Sequence, residues 1–465
     1  MRIEKKITKA ILLTVPFPTR FSGMPMGLIE MGTAFENHDI ETIIIDLASL
    51  SVGGIMTDEE WQIEVYRHVM TIVDYECCFV GISLCSPGVF RGIKLARYIK
   101  KLMPTCKIAV GGPHLISDIQ FLKKAETYSI DWAYHGQFLP CKLFAEMLAG
   151  EIELEEIPNF SFRINKSDVQ YNIEDSKCIS RDFIIPNYHL LKNPEHYYFG
   201  IFKDGNNIRR FNTSQISTTY GCNSSCRFCT INENRKKFKN KIEDVELWLL
   251  KLKVDGIRNI FFDDPNFTED TLRLEKILEI LLKLDFKWAC QARIDSVQPE
   301  LLKRMSMAGC EYIFYGLETG DDTLKKYLKK NISNSLIIEN IKSTIKYNIQ
   351  PGLSCIFGIP GENRDSRFNT YKLINEIDSS LPPNSSVKPL ISPSFYAVYP
   401  GSEAERDLLK TGKVLDYFNE YSTEKAWLDF DDGYGAYHYF EHEYASKVYD
   451  EIKQTLKQCI NLKII

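Results

Sequence analysis

From residue 8 to residue 150 the chain repeats one pattern: an unbroken apolar run, a turn, then a stretch with helical spacing. The runs are TKAILLTV (8–15), ETIIIDL (41–47), CCFVGISL (77–84), CKIAVGGP (106–113) and DWAYHG (131–136). A strand that is apolar on both faces demands cover on both faces. Such strands pair in parallel, with helices above and below. Helical spacing runs from about Met26 to His38, over 58–73 and 90–103, and from Ser117 to Tyr128. The rhythm predicts an α/β fold with a doubly wound parallel sheet in residues 1–150. Ligands of these sheets bind beyond the carboxyl ends of the strands. Here those ends are Pro16–Gly27, Ser83–Gly92, Gly111–Ser117 and His135–Gln137. They are rich in Gly, Pro and small polar residues, which let a large flat ligand reach the backbone. No G-x-G-x-x-G follows a strand, which argues against a dinucleotide.

Residues 151–210 are irregular, with prolines at 158, 186 and 194, and read as a linker with some short strands. A second βα series follows. Its strands are QISTTY (215–220), IRNIFF (257–262), KWACQA (287–292), EYIFYG (311–316), GLSCIFG (352–358) and SPSFYAV (392–398). Helices are expected near 242–254, 269–284, 298–308, 334–347 and 364–379. Six parallel strands with a helix after each of the first five predict a partial (β/α)6 barrel over 211–400, with its chemistry at the strand C-termini. Residues 401–465, rich in Tyr and acidic side chains, read as a helical tail or lid.

The net charge is −5, so no basic field recruits nucleic acid. The run Arg235-Lys236-Lys237-Phe238-Lys239 reads as a solvated turn. The apolar part of MRIEKKITKAILLTV is too short for a secretory signal, and no stretch approaches the roughly 18 apolar residues of a membrane span. Thirteen cysteines, odd in number and scattered, argue for a reducing cytoplasm rather than a disulfide framework. Cys77, Cys78, Cys106, Cys310 and Cys355 lie in apolar runs and read as small buried hydrophobes.

Three cysteines stand apart. STTYGCNSSCRFCTINENRKKF (217–238) places Cys222, Cys226 and Cys229 in a C-x3-C-x2-C loop after the first strand of the second series. A structural zinc site needs a fourth ligand. The next histidine downstream is His438, while His189 and His196 upstream could serve. A four-iron cluster also accepts thiolates, and three of them leave one iron open to a small chelate.

The C-x3-C-x-aromatic-C spacing on the loop after the first strand of a partial barrel resembles the radical S-adenosylmethionine (SAM) superfamily. The resemblance implies a [4Fe-4S] cluster on Cys222, Cys226 and Cys229, with SAM chelating the open iron and cleaved to a 5′-deoxyadenosyl radical. It assigns Phe228 to the adenine, Asp264 in FFDDPNF (261–267) to the SAM ammonium in preference to Asp263, and Arg293 to the methionyl carboxylate. Glu318 in GLETG (316–320) falls to the ribose or ammonium, and Ile356 and Gly358 in CIFGIPGE (355–362) to adenine packing. An electron donor such as flavodoxin or ferredoxin is implied.

With a doubly wound domain in front, the chain is similar to the cobalamin (B12)-binding class of that superfamily. The matching stretches are IETIIIDL (40–47), FVGISL (79–84) and IAVGGPH (108–114). Ser83, Gly111, Gly112, Pro113 and His114 are the implied cobalamin contacts. The Asp-x-His-x-x-Gly that supplies a lower cobalt ligand in many B12 proteins is absent. The acidic Gly-Glu-x-Glu turn after the last strand is replaced by HGQFLP (135–140). The class implies methylation of an unactivated carbon on a small-molecule or peptide substrate. A radical SAM reaction without methyl transfer and a non-enzymatic sensor are the alternatives. In the tail, His438 and His442 are spaced i,i+4 as a helix-borne metal pair would be, and Tyr434, Tyr437 and Tyr439 are candidates for a substrate-covering lid.

Overall fold

The structure, a computed structural model, describes residues 3, 6–16, 23–51, 56–71, 78–137, 140–166, 168–173, 183–192, 197, 203–204, 207–208, 213–231, 237–382 and 387–411, and parts of 448–464. Cys77, His196, the basic residues 235 and 236, and the tail residues Tyr434, Tyr437, His438, Tyr439 and His442 lie outside the described residues. The chain divides into two compact units, one running to residue 198 and the other from 199 to 411 with the C-terminal stretch.

The first unit is built on β1 (Lys9–Thr14), α1 (Met26–Glu36), β2 (Glu41–Ile45), α2 (Leu47–Leu50), α3 (Asp58–Val69), β3 (Cys78–Ser83), α4 (Val89–Leu102), β4 (Lys107–Gly111), β5 (Trp132–Tyr134) and α5 (Cys141–Leu148). The sheet order is β2-β1-β3-β4-β5, all parallel. The order reverses between β1 and β3, and sheets of this kind bind ligands beyond the carboxyl ends of their strands. Strand interiors are buried on both faces, as in β1, where Ala10, Ile11, Leu12 and Leu13 are at most 1% exposed. Two short strands from the expected linker, β6 (Phe160–Arg163) and β7 (Val169–Asn172), extend this sheet antiparallel beyond β5. The helix expected over Ser117–Tyr128 is instead a pair of 3-10 turns at Phe121–Lys123 and Ala125–Thr127. Arg163 Nη2 donates to the Leu122 carbonyl at 2.6 Å and Thr127 Oγ1 to that of Lys124 at 2.7 Å. Side chains thus occupy carbonyls that a helical ladder would need.

In the second unit a small hairpin, β8 (Lys203–Asp204) with β9 (Asn207–Ile208), precedes β10 (Thr213–Ile216). The strand expected over 215–220 breaks after Ile216. Its remainder, β11 (Thr219–Tyr220), pairs antiparallel with β12 (Phe238–Lys239), so the cysteine loop is held at the base of a two-stranded ribbon. There follow α6 (Ile242–Val254), β13 (Asn259–Phe262), α7 (Thr271–Leu284), β14 (Lys287–Ala292), α8 (Pro299–Met307), β15 (Cys310–Glu318), α9 (Asp322–Tyr327), α10 (Asn334–Lys346), β16 (Gln350–Phe357), α11 (Arg364–Ser380), β17 (Leu390–Phe395) and α12 (Glu403–Lys410). The parallel sheet runs β10-β13-β14-β15-β16-β17 in chain order, and β18 (Lys463–Ile464) adds an unexpected seventh strand beyond β17. This is the partial barrel the sequence predicts. Helix starts are locally written: Asp270 caps α7 by accepting the Arg273 N–H at 3.1 Å, and Ser333 caps α10 through the Leu336 N–H.

Candidate functional site

Asp264 decides where the cysteine loop begins. At 1% exposure, its carboxylate accepts both the Thr218 N–H and the Thr218 hydroxyl, each at 2.7 Å. Asn240 Nδ2 holds the Ser217 carbonyl at 3.0 Å, and the Asn240 N–H holds that of Thr218 at 3.0 Å. These bonds pull the chain off the sheet edge and send the loop over the strand ends. Cys222 is buried, Cys226 and Cys229 half-buried, and none of the three is held in a disulfide. The loop turns tightly, with the Cys229 N–H on the Cys226 carbonyl at 3.1 Å. Backbone N–H groups of Ser224 and Ile231 point at the sulfurs of Cys222 (3.4 Å) and Cys229 (3.3 Å). Such donors stabilise thiolate charge. Among the described residues no three His, Cys, Asp or Glu side chains converge on the point a single ion would occupy. A cluster that bonds each thiol to a different iron does not require them to. His189, the upstream zinc candidate, is an exposed residue of the first unit. Phe228 is half-buried in the same loop.

Around the loop stand two cations and an acid. Arg293 Nη1 lies 3.9 Å from Cys226 Sγ, while its Nε and Nη2 fork onto Asp295 at 2.9 and 2.7 Å. Burial raises the Cys226 thiol above its ordinary value, with Lys330 and Arg293 pulling the other way. Lys330 Nζ binds Glu318 Oε1 at 2.7 Å, with both side chains under 10% exposed. Glu318 sits at a β-bulge in left-handed backbone (φ 66°), a conformation non-glycine residues adopt at a cost. Its Oε2 is buried with no hydrogen-bond partner among the described residues. An orphaned carboxylate oxygen in a strained turn beside the thiols fits a donor-bearing ligand. Gly316 makes room for the pair, since a Cβ there would come within 2.1 Å of Glu318 Oε1 and 2.2 Å of Lys330 Nζ. The sequence reading missed Lys330. No local pattern marks it, and only the fold brings it back to the end of β15.

The acidic pair after β13 divides its roles against expectation. Asp264, the expected ammonium partner, is turned inward onto Thr218. Asp263 is the partly open member, and accepts Gln215 Nε2 at 2.6 Å and Gln291 Nε2 at 3.1 Å. Burial pushes both carboxyls up to about 6. After β16, Ile356 is buried and Gly358 is left-handed (φ 71°). The Gly358 N–H donates to Glu362 Oε2 at 2.9 Å, and burial pushes the Glu362 carboxyl up to about 7.

The first unit carries a separate feature, a largely apolar cavity of about 360 Å³ at the carboxyl edge of its sheet. Ser83, Gly111, Gly112 and Pro113 line it, with Gly81, Met26 and Tyr134 among the residues the sequence did not single out. His114 does not. It is 1% exposed, its Nδ1 3.1 Å from Ser86 Oγ and its Nε2 3.6 Å from an Asp118 carboxylate oxygen.

Residues 216–374 match the family model of the radical SAM superfamily. Those residues form a radical SAM domain. The matched span begins at the end of β10, takes in the cysteine loop and every strand end just described up to Glu362, and stops within α11. Among known proteins, the chain is 24% identical to an uncharacterized methyltransferase of Pyrococcus horikoshii, over 80% of this chain and 79% of that one. It is 22% identical to an uncharacterized protein of Methanocaldococcus jannaschii, over 73% and 74%. Among solved structures, its fold matches TsrM of Kitasatospora setae, a radical SAM methyltransferase solved with cobalamin and a [4Fe-4S] cluster (TM-score 0.63, 13% identity, 87% of this chain and 78% of that one). It also matches OxsB, a cobalamin-dependent SAM radical enzyme (TM-score 0.65, 14% identity, 97% and 67%). Among the described residues no helix is long and apolar enough to cross a membrane.

Proposed function

We propose that this chain is a radical SAM enzyme that binds cobalamin and methylates an unactivated carbon of a small-molecule or peptide substrate. The observation that carries the reading is the cavity of about 360 Å³ at the carboxyl ends of β3 and β4, in the same chain as a three-thiol loop beside which the described residues place no fourth metal ligand. TsrM and OxsB, whose folds match over 87% and 97% of this chain, are described as cobalamin-bound and cobalamin-dependent. When bound, the cluster and SAM supply a carbon radical and cobalamin a methyl group, which together serve a carbon with no acidic proton.

On this reading Cys222, Cys226 and Cys229 hold the cluster, and Phe228, Ile356 and Gly358 bound the adenine. Glu318 uses its second oxygen on a hydroxyl or ammonium of SAM while Lys330 holds the first. Arg293 faces the methionyl carboxylate. Asp263 replaces Asp264 as the second acceptor for the ammonium, because Asp264 is spent on Thr218. Ser83, Gly111, Gly112 and Pro113 present small side chains and backbone to cobalamin, and His114 serves the packing beneath. Free cysteines fit a reducing compartment such as the cytoplasm, with flavodoxin or ferredoxin as the electron source.

The test is anaerobic reconstitution of the full chain with iron, sulfide and hydroxocobalamin, followed by reduction with SAM. Corrin absorption retained after gel filtration, with 5′-deoxyadenosine and a 14-dalton gain on a substrate from cell extract, is the expected result. Release of 5′-deoxyadenosine with no corrin retained would favour radical chemistry without methyl transfer.

A further inference from the structure

Arg227 lies inside the cysteine motif, between Cys226 and Cys229, yet everything it touches lies elsewhere. Its N–H donates to the Leu328 carbonyl at 3.2 Å, and its own carbonyl accepts the Ala404 N–H at 3.1 Å. Its Nε donates to the Tyr327 carbonyl at 2.8 Å, and the guanidinium lies over the Tyr327 ring, 4.5 Å from its centre. Nη2 meets Glu403 at 3.1 Å and Nη1 bonds Asp407. The side chain is 20% exposed, so these bonds are shielded in part from water.

Glu403 and Asp407 are one helical turn apart on α12, whose start is fixed by Ser402 Oγ accepting the Glu405 N–H at 3.1 Å. Each acid holds a second cation: Lys329 on Glu403 at 2.5 Å and Lys410 on Asp407 at 2.9 Å. Lys329 is itself left-handed (φ 58°). The short segment 327–330 therefore gives Arg227 two carbonyls, sends Lys329 to α12, and sends Lys330 to Glu318. One guanidinium joins the cluster loop, the turn carrying Lys330, and a helix that begins 29 residues after the family match ends at 374.

We propose that Arg227 is a positioning residue for the cluster and that α12 is the clasp through which it acts. The forked, stacked guanidinium pins the backbone between Cys226 and Cys229, so the two thiols keep the spacing a shared cluster needs. A lysine has neither the fork nor the flat face for this task. The inference rests on the cluster reading of the cysteine loop.

The test uses the full chain, reconstituted anaerobically with iron and sulfide, in wild-type form and as Arg227→Gln, Arg227→Lys and the double variant Glu403→Gln/Asp407→Asn. A Lys251→Gln variant, which breaks an ordinary surface pair with Asp255 on α6, is the control. Iron capture by a coloured ferrous chelator gives the rate of cluster loss. Hydrogen exchange reports on the loop and on β14 separately. Arg227→Gln and the double variant should each release iron about tenfold faster, the ratio that about 1.4 kcal/mol produces, which is the size of one charge-assisted bond. Arg227→Lys should recover only part of the loss. Exchange should quicken at Cys226–Cys229 and not in β14. Wild-type release rates in both disruptive variants would overturn the clasp, as would exchange that rises equally in β14. A wild-type chain that takes up no four-iron cluster would instead overturn the reading beneath it.

Discussion

Replacing Lys330 with methionine probes the charge pair beside the cluster loop most directly. Its Nζ sits 2.7 Å from Glu318 Oε1, and the two side chains are 8% and 6% exposed. Methionine preserves most of the length and removes the charge. Glu318 is then a buried carboxylate whose second oxygen already lacks a partner among the described residues. Removing one member of a buried pair costs about 3–5 kcal/mol, because the other charge is left uncompensated. An exposed pair at the same distance would cost about 0–1 kcal/mol. Lys330→Met should therefore destabilise the second unit by several kcal/mol, and adding Glu318→Gln should restore most of it, since the double variant buries no lone charge. Urea unfolding, followed by hydrogen exchange at β15 and β16 amides, gives the three free energies of the cycle. A Lys330→Met cost below about 1 kcal/mol, or a double variant as unstable as the sum of the singles, would refute the reasoning. The double variant should still bind SAM weakly, because glutamine offers one neutral amide oxygen where Glu318 offers a charged carboxylate.

Three further outcomes follow from the same geometry. Asp264→Ala leaves the Thr218 N–H and hydroxyl buried without an acceptor, at about 1–3 kcal/mol each. Iron retained after reconstitution should fall with the loop's anchor, as a ferrous-iron assay would show. Gly316→Ala drives a methyl group into Glu318 and Lys330, and SAM affinity by calorimetry should drop at least tenfold while the three thiols still take up iron. Glu362 titrates near 7 because burial disfavours its charge, against the opposing pull of the Gly358 N–H and Arg367. A raised carboxyl contributes stability that is full below the ordinary carboxylate range and lost as pH rises through about 7. Thermal unfolding should show that loss between about pH 4.5 and 7, with a plateau above, and Glu362→Gln should flatten it.

What the sequence determined by itself was everything encoded within a few residues of where it acts. Doubly apolar runs specify buried parallel strands whichever strands they later join. The barrel helices expected near 242–254 and 364–379 announce themselves by spacing. The C-x3-C-x2-C loop is legible because three thiols in eight residues share one turn of chain. Tertiary structure decided what depends on a partner far along the chain. Thr218 leaves the sheet because Asp264, 46 residues on, outbids the neighbouring strand for its N–H. That bond hands the open position to Asp263, a choice that adjacent identical side chains cannot reveal. The same cause turns His114 inward onto Ser86, breaks the 117–128 segment on Arg163, brings Lys330 under Glu318 and ties Arg227 to α12. Hydrogen bonds and ion pairs act over about 3 Å and ignore sequence separation, so the residues they recruit become visible only once the chain has folded.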